Sequence, residues 1–342
     1  MTNKPANRAV VRILSIAVIL CTTVWGAAAL HYRGSVSAAL NVGLVGAFAL
    51  CGLTAMVAIA LGRRTGTALL GFALPFALLL GWWSRIAPAN DRDWQPDVAR
   101  LAHAEFDGDR VTVRNVRNFA YRSETDYTPA YYDKTYDLAR LRSVDLVTVY
   151  WMGPAIAHTF LSFGFEGGDQ LAVSIETRKE QGESYSTTRG FFKQYELYYV
   201  VADERDVIRL RTNYRRDPPE DVYLYRLHAP LENGRRLFVE YMRRINALRD
   251  QPEFYNTLSD NCTTGIWMNT RINPGHVPLS WKILASGYVP EYLHQIGMLA
   301  PGMSFAELRR LGHVNDRAQA ADTAADFSRL IRIGLPGTPT AD

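Results

Sequence analysis

Three long apolar stretches stand at the start of the 342-residue chain and constrain its fold more than any other feature. They run over residues 13–30, 36–61 and 68–86, and each comes close to the ~20 residues that a helix needs to cross a bilayer. We therefore predict three transmembrane helices in a membrane anchor that covers residues 1–87. A cleaved signal peptide would explain only the first stretch, so the second and third argue against removal of the N-terminus.

Basic residues flank the apolar stretches unevenly. On one side of the predicted membrane lie Lys4, Arg8, Arg12, Arg63 and Arg64. The flanks on the other side hold only Arg33 and Arg85. Because positively charged flanks stay in the cytoplasm, we predict a cytoplasmic N-terminus and an extracytoplasmic chain from residue 90 onwards. In a bacterial cell this describes a multi-pass protein of the inner membrane with a periplasmic domain.

Charge and motif content exclude several classes of function. The net charge is only +4 and no block of Lys or Arg resembles a nucleic-acid footprint, so nucleic acid is not an expected partner. The chain contains no HExxH, no CxxC and no Gly-rich phosphate loop, which predicts neither a metal nor another cofactor. A GxSxG motif is also absent, which argues against a serine nucleophile.

The chain after residue 90 is rich in polar residues and has shorter apolar patterns. We predict a linker over 88–97, a folded domain over 98–313 and a tail over 314–342 that frays from Asp322 onwards. Alternation with period two predicts strands over 110–116, 144–151, 158–165, 171–177, 195–201 and 222–227. Helical spacing predicts helices over 203–213, over 231–248 and beyond residue 261. Together they indicate an α+β fold with a mainly antiparallel sheet.

Cys262 is the one cysteine of the predicted domain, because Cys21 and Cys51 lie within predicted membrane spans. An oxidising compartment normally pairs structural cysteines, so an unpaired thiol needs another explanation. Cys262 begins a predicted helix with Asp260 or Asn261 as its N-cap, where the helix dipole and free N–H groups favour a thiolate. The same N–H groups could hold a tetrahedral oxyanion. An inert buried cysteine is the alternative, and the glycosylation sequon Asn261-Cys262-Thr263 carries no weight in a bacterium.

A thiol nucleophile needs a base, and the domain offers six histidines: His103, His158, His228, His276, His294 and His313. His158 opens the clearest predicted strand, and a side chain at a strand end can face a cleft. We therefore favour His158, with a merely hydrogen-bonded histidine as the alternative. If the turn Glu166–Asp169 pairs Phe165 with Asp169, Glu176 lies opposite His158 and can orient its imidazole. A one-residue slip places Thr177 there instead, and pairing of Glu176 with Arg178 or Lys179 is a further alternative. We favour Glu176, so Cys262, His158 and Glu176 are the predicted catalytic residues.

Two further sets of residues are candidates for supporting roles. Asn256 and Asn261 are candidate oxyanion or support residues, with turn or cap residues as the alternative. Arg178 and Lys179 lie near the hairpin and are candidate contacts for a lipid phosphate, with solvated surface charges as the alternative.

Five segments of the chain carry a further signal: NVRNFAYRSETDY, AHTFLSFGF, SIETRKEQGESY, YELYYVVADERDVIRLRTN and FYNTLSDNCTT. Over roughly residues 95–270 these segments resemble the Lnb N-terminal periplasmic domain family. The order of His158 before Cys262 also resembles circularly permuted papain-like enzymes of the NlpC type, and this fold is what the resemblance implies. The histidine of AHT and the cysteine of NCTT correspond to His158 and Cys262.

The resemblance also implies an activity. The member that names the family is a lipoprotein N-acyltransferase, which implies a phospholipid acyl donor and a lipoprotein amine or peptide as the acceptor. A papain-like site can also cut peptides, so a periplasmic cysteine peptidase or amidase is one alternative and a lipid acyl hydrolase is another. In a further alternative the domain only binds a partner and Cys262 is incidental.

Overall fold

The computed structural model describes residues 4–34, 37–63 and 65–337. Val36, Arg64 and residues 338–342, on which parts of the predictions rest, lie outside the described residues. The chain divides into two compact units. One comprises Met1–Ala89 and Ser186–Gln194, and the other comprises Asn90–Tyr185 and Tyr195–Asp342.

The first unit contains the three predicted membrane helices: α1 (Lys4–Arg33), α2 (Ala38–Ala60) and α3 (Thr65–Arg85). Each is long and apolar enough to cross a membrane. Phe48, Ile59 and Leu79 are buried where the helices pack together, whereas Val42 and Leu70 are more than 70% exposed. Apolar side chains that point outward are the pattern expected of helices surrounded by lipid.

The second unit is an α+β domain built on a mainly antiparallel sheet. Its strands are β1 (His103–Asp107), β2 (Arg110–Arg117), β3 (Ala120–Tyr121), β4 (Tyr127–Thr128), β5 (Tyr131–Asp137), β6 (Leu141–Tyr150), β7 (His158–Phe165), β8 (Gln170–Arg178), β9 (Glu196–Ala202) and β10 (Asp221–Arg226). The main sheet has the order β1-β2-β9-β8-β7-β6-β10, and β5 pairs with β2. Only the β2–β9 contact is parallel, while β3 and β4 form a separate pair.

All six predicted strands are present, but the sequence patterns missed β1, β5 and the short β3–β4 pair. In β5 most side chains are partly or fully exposed and only Tyr136 is buried. A strand of this kind is stabilised by its backbone hydrogen bonds to a neighbouring strand, here β2, and therefore lacks an alternating apolar pattern.

Eight helices complete the described part of this unit. They are α4 (Glu204–Arg209), α5 (Leu231–Asp250), α6 (Cys262–Thr270), α7 (Trp281–Leu284), α8 (Val289–Gln295), α9 (Phe305–Gly312), α10 (Asn315–Ala320) and α11 (Phe327–Leu330). A π-helical turn, Leu210–Tyr214, continues α4. The predicted helices at 203–213 and 231–248 are confirmed, and the chain beyond residue 261 is mostly helical.

The sheet has an apolar core on each face. Leu161 and Phe163 of β7 belong to one core, which includes Phe238 of α5. Phe160 of β7 belongs to the other, which includes Val314 and Phe327 from the C-terminal region. Neighbouring residues of a strand point to opposite faces, so β7 contributes to both cores.

The compact unit extends beyond both limits that we predicted for the folded domain, residues 98 and 313. Trp94, within the predicted linker, is buried in the second core. At the other end Phe327 and Ile331 are fully buried, so the expected fraying from Asp322 does not apply to this part of the predicted tail. Their spacing of four residues places both side chains on one side of the chain, where they cover the sheet.

Candidate active site

Helix α6 presents Cys262 as its first residue, and Asn261 is the N-cap. The Asn261 Oδ1 atom accepts hydrogen bonds from the N–H groups of Thr263 (2.9 Å) and Thr264 (3.0 Å). The Asn261 N–H donates to the Thr264 Oγ1 atom at 2.9 Å. Of the four N–H groups that a helix start leaves without a partner inside the helix, here those of residues 261–264, that of Cys262 alone has no acceptor within the described chain.

The close packing of α6 on the sheet depends on Gly265. A Cβ atom at this position would lie 2.7 Å from the Ile175 side chain of β8. Glycine therefore lets the first turn of α6, which carries Cys262, lie directly on the sheet without a shift of the Ile175 side chain.

The β7–β8 hairpin has the register that the sequence predicted. Phe165 N–H donates to the Asp169 carbonyl, and Phe160 pairs with Ser174. Gly167 and Gly168 in the turn both have φ near +90°, a conformation that favours glycine. The same register brings the side chains of His158 and Glu176 together, with Nε2 and Oε1 3.4 Å apart.

A serine lies between this histidine and the carboxylate. The His158 Nε2 and Ser174 Oγ atoms are 2.7 Å apart, and the Ser174 hydroxyl donates to Glu176 Oε1 at 2.8 Å. Because a hydroxyl has one proton, Ser174 accepts from Nε2–H, which leaves Nδ1 as the ring nitrogen free for the thiol. Arg211 holds Glu176 from the other side through a 3.1 Å hydrogen bond.

The thiol of Cys262 interacts with the His158 side chain and with the backbone N–H of Thr159. Burial alone would raise the pKa of Cys262, but the charge and hydrogen bond of His158 and the N–H of Thr159 lower it to about 7. Burial and Arg211 act to lower the pKa of His158, yet Cys262 and Glu176 outweigh them and raise it. These opposite shifts favour a thiolate–imidazolium pair.

Glu176 is an ionised partner for this pair. Burial would raise the pKa of Glu176, but its hydrogen bond with His158 and the charge of Arg211 hold the pKa well below the usual range. Its carboxylate therefore stabilises the protonated imidazole through Ser174 and directly.

The pKa of Cys262 leads to a prediction about its reactivity. We expect alkylation of Cys262 by iodoacetamide to rise with a midpoint near pH 7, whereas an unperturbed cysteine has its midpoint near pH ~8.5. In Glu176→Gln the imidazolium loses its carboxylate and faces Arg211, so the pKa of His158 falls and that of Cys262 rises. The alkylation profile, followed by mass spectrometry of the Cys262 peptide, should move to higher pH.

The matched control is Glu220→Gln. Glu220 is the second carboxylate on Arg211, at 3.3 Å, and has no contact with His158. The midpoint in this variant should remain near that of the wild-type protein. Equal profiles for Glu176→Gln and the wild type would contradict the assigned role of the carboxylate.

The two asparagines predicted to support an oxyanion shape the loop before α6 instead. Asn256 Oδ1 accepts from the N–H groups of Leu258 and Ser259, as a turn residue does. Asn261 uses Oδ1 for its cap, and its Nδ2 donates to the Thr257 carbonyl at 2.8 Å. The amide donor of Asn261 is thus already engaged by the loop, whereas Asn256 holds the loop through its Oδ1 acceptor.

Arg178 does not fit the predicted role of contacting a lipid phosphate. It is only 2% exposed, stacks over Trp94 and donates to the carbonyls of Val98 and Ala99. Its guanidinium thus provides hydrogen-bond donors for backbone carbonyls at the start of the α+β domain. Lys179 is partly exposed, and its role stays a prediction.

Sequence reasoning missed Ser174 and Arg211. Ser174 could have been found, because it precedes Glu176 by two residues and so shares its face of β8. Arg211 lies 35 residues from Glu176 on the turn after α4, and no local pattern connects them. The other predicted histidines lie elsewhere: for example, His294 Nε2 is 2.9 Å from the Met303 carbonyl oxygen.

The membrane helices and the α+β domain define a class of protein, a membrane protein with a periplasmic domain. Residues 127–287 match the family model described as the Lnb N-terminal periplasmic domain, which is the family that the sequence segments resemble. The matched segment contains His158, Glu176 and Cys262. Comparison with curated proteins and with solved structures gave no match.

Proposed function

We propose that the protein is a membrane-anchored cysteine acyltransferase. It takes an acyl chain from a phospholipid, holds it as a thioester on Cys262 and passes it to the N-terminal amine of a lipoprotein. The observation that carries this proposal is the ordered set of Cys262, His158, Ser174 and Glu176. The match to the family model supports the lipid donor and the lipoprotein acceptor, since the resemblance implies both.

In the first half of the reaction the Cys262 thiolate attacks an ester carbonyl of the phospholipid. A carbon–sulfur bond forms, the ester carbon–oxygen bond breaks, and the imidazolium of His158 gives its proton to the leaving alkoxide. The products are the thioester and a lysophospholipid. Glu176 and Ser174 hold the imidazole at Nε2, which leaves Nδ1 as the nitrogen that exchanges a proton with the thiol.

In the second half a neutral amine attacks the thioester carbonyl. A carbon–nitrogen bond forms and the carbon–sulfur bond breaks, while His158 accepts the proton that the amine loses. The thiolate–imidazolium pair is thereby restored. Attack by water in place of the amine would make the protein a hydrolase.

The negative oxygen of each tetrahedral intermediate needs a hydrogen-bond donor. The N–H of Cys262 is the candidate, because Asn261 satisfies the next two N–H groups of α6. The asparagine cap therefore supports catalysis indirectly, since it holds the helix start rigid around the one free N–H.

The proposal includes a place in the cell. The basic residues before the first helix and after the second favour a cytoplasmic N-terminus, which would put the candidate site and its proposed acceptor on the outer side of the inner membrane. Labelling of introduced surface cysteines from each side of the membrane tests this orientation.

Trapping of the acyl-enzyme tests the proposed function. Full-length protein in liposomes that contain an alkyne-tagged phospholipid should acquire the tag on Cys262. Neutral hydroxylamine should remove it, because a thioester is labile under those conditions whereas an amide is stable. His158→Ala should form far less of the adduct. Absence of any acyl adduct, together with release of peptides, would favour the cysteine peptidase instead.

A further inference from the structure

A cavity of about 320 Å³ lies between one face of the sheet and the helices α5, α6 and α8. This volume is in the range of small-molecule sites. Apolar side chains from all these elements line it: Leu146, Leu161, Leu237, Ile266, Val289 and Leu293.

One end of the cavity lies next to the thiol. Thr159 and Thr263 line this end, and their hydroxyl oxygens are 3.0 Å apart. The Thr263 hydroxyl is 3.6 Å from Cys262 Sγ, and the thiol also meets the Thr159 N–H. A single layer of side chains therefore separates the sulfur from the cavity.

The other end is lined by exposed residues. Arg142, Leu231 and His276 all line the cavity and are at least one-third exposed. The space thus extends from the surface of the domain to the pair of threonines.

Most polar side chains that line the cavity already form hydrogen bonds with other groups of the protein. Trp267 Nε1 donates to the Val277 carbonyl, and the Thr270 hydroxyl donates to the Trp267 carbonyl. Asn273 accepts from Arg236 and donates to the Asn233 carbonyl. A peptide placed here would lose water from its backbone groups without replacing those hydrogen bonds.

We propose that this cavity binds one acyl chain of the donor lipid while its carbonyl carbon is attached to Cys262. The inference rests on the proposed function and adds that this cavity selects which acyl chain is transferred. An alkyl chain needs no hydrogen-bond partners, and its affinity grows with each methylene removed from water. The chain reaches the cavity by displacing the side chains of Thr159 and Thr263.

Ile266→Phe tests the inference, because Ile266 lies one helical turn after Cys262 and lines the cavity. The larger side chain should fill the space near the thiol. We expect the rate of Cys262 acylation by p-nitrophenyl palmitate to fall at least tenfold, while the rate with p-nitrophenyl acetate stays within twofold. Both rates are measured on the full chain in detergent.

Ile272→Phe is the matched control, since Ile272 is partly exposed beyond α6 and does not line the cavity. Its palmitate and acetate rates should match the wild type. An unchanged ratio of the two rates in Ile266→Phe would overturn the inference but leave the proposed function standing. Failure of all esters to acylate a Cys262 that iodoacetamide still alkylates would overturn both.

A binding measurement covers the case in which Ile266→Phe does not fold. Phosphatidylethanolamine with a diazirine near the end of one acyl chain is mixed into liposomes with full-length Cys262→Ser, and the crosslinked peptides are identified. Crosslinks to α5, α6 or α8 support the inference. Crosslinks confined to α1, α2 and α3 contradict it.

Discussion

The Cys262→Ser protein should transfer acyl chains at least about a thousand times more slowly than the wild type. A serine hydroxyl at this position remains protonated beside His158, because its pKa lies far above that of a thiol, so the nucleophile is lost while the shape is kept. The measurement is mass spectrometry of lipoprotein N-termini from cells that depend on this protein for N-acylation. The N-acylated form should disappear in the variant.

The chain provides its own controls in Cys21 and Cys51, which lie in α1 and α2 and outside the candidate site. The same substitution to serine at either position should leave N-acylation intact. If lipoproteins remained N-acylated in Cys262→Ser, the acyltransferase proposal would fail, while a thiol-dependent hydrolase would remain open to test with labelled phospholipid.

Arg332→Met should destabilise the domain by about 3–5 kcal/mol, which corresponds to a fall in melting temperature on the order of 10 °C. Arg332 pairs with Asp145 at 2.8 Å and Glu204 at 2.6 Å, and all three side chains are buried. The Glu204 carboxylate accepts hydrogen bonds from Arg332 and from the Ser162 hydroxyl. Without the guanidinium, it would keep only the bond from Ser162. Thermal unfolding of the full chain in detergent measures the effect.

Arg329→Met is the matched control, because it removes the same type of side chain three residues earlier. Arg329 and its partner Asp326 are both about half exposed, so the loss should stay below ~1 kcal/mol. Adding Glu204→Gln to Arg332→Met should recover part of the stability, since it removes the carboxylate left without a charge partner, whereas Asp145 keeps Arg226. Similar melting temperatures for Arg332→Met and Arg329→Met would contradict this account.

The residues around the hairpin show why part of the site was predictable. Strand residues repeat with period two, and the turn at Gly167 and Gly168 sets which residues face each other. The pairing of His158 with Glu176 follows from those two local rules. The position of Cys262 at a helix start was predictable for the same reason, because an asparagine cap and the helix that follows lie next to each other in the chain.

The residues that were misjudged depend on contacts between distant parts of the chain. The sequence predicts Arg178 as a contact for a lipid phosphate, but Trp94 and the carbonyls near residue 98, some 80 residues away in the chain, enclose it. The sequence predicts that Phe327 and Ile331 belong to a frayed tail, but both side chains pack into the core on the second face of the sheet. Burial of this kind is a property of the assembled layers and leaves no periodic signal.

The sequence by itself determined the membrane helices, six strands of the central sheet, the hairpin register and the capped start of α6, because each of these follows from local spacing or capping. Only the tertiary structure decided that Arg211 holds Glu176 and that a cavity ends beside the thiol. Those features need elements from separate parts of the chain to pack together, and packing joins side chains whose separation in sequence carries no pattern.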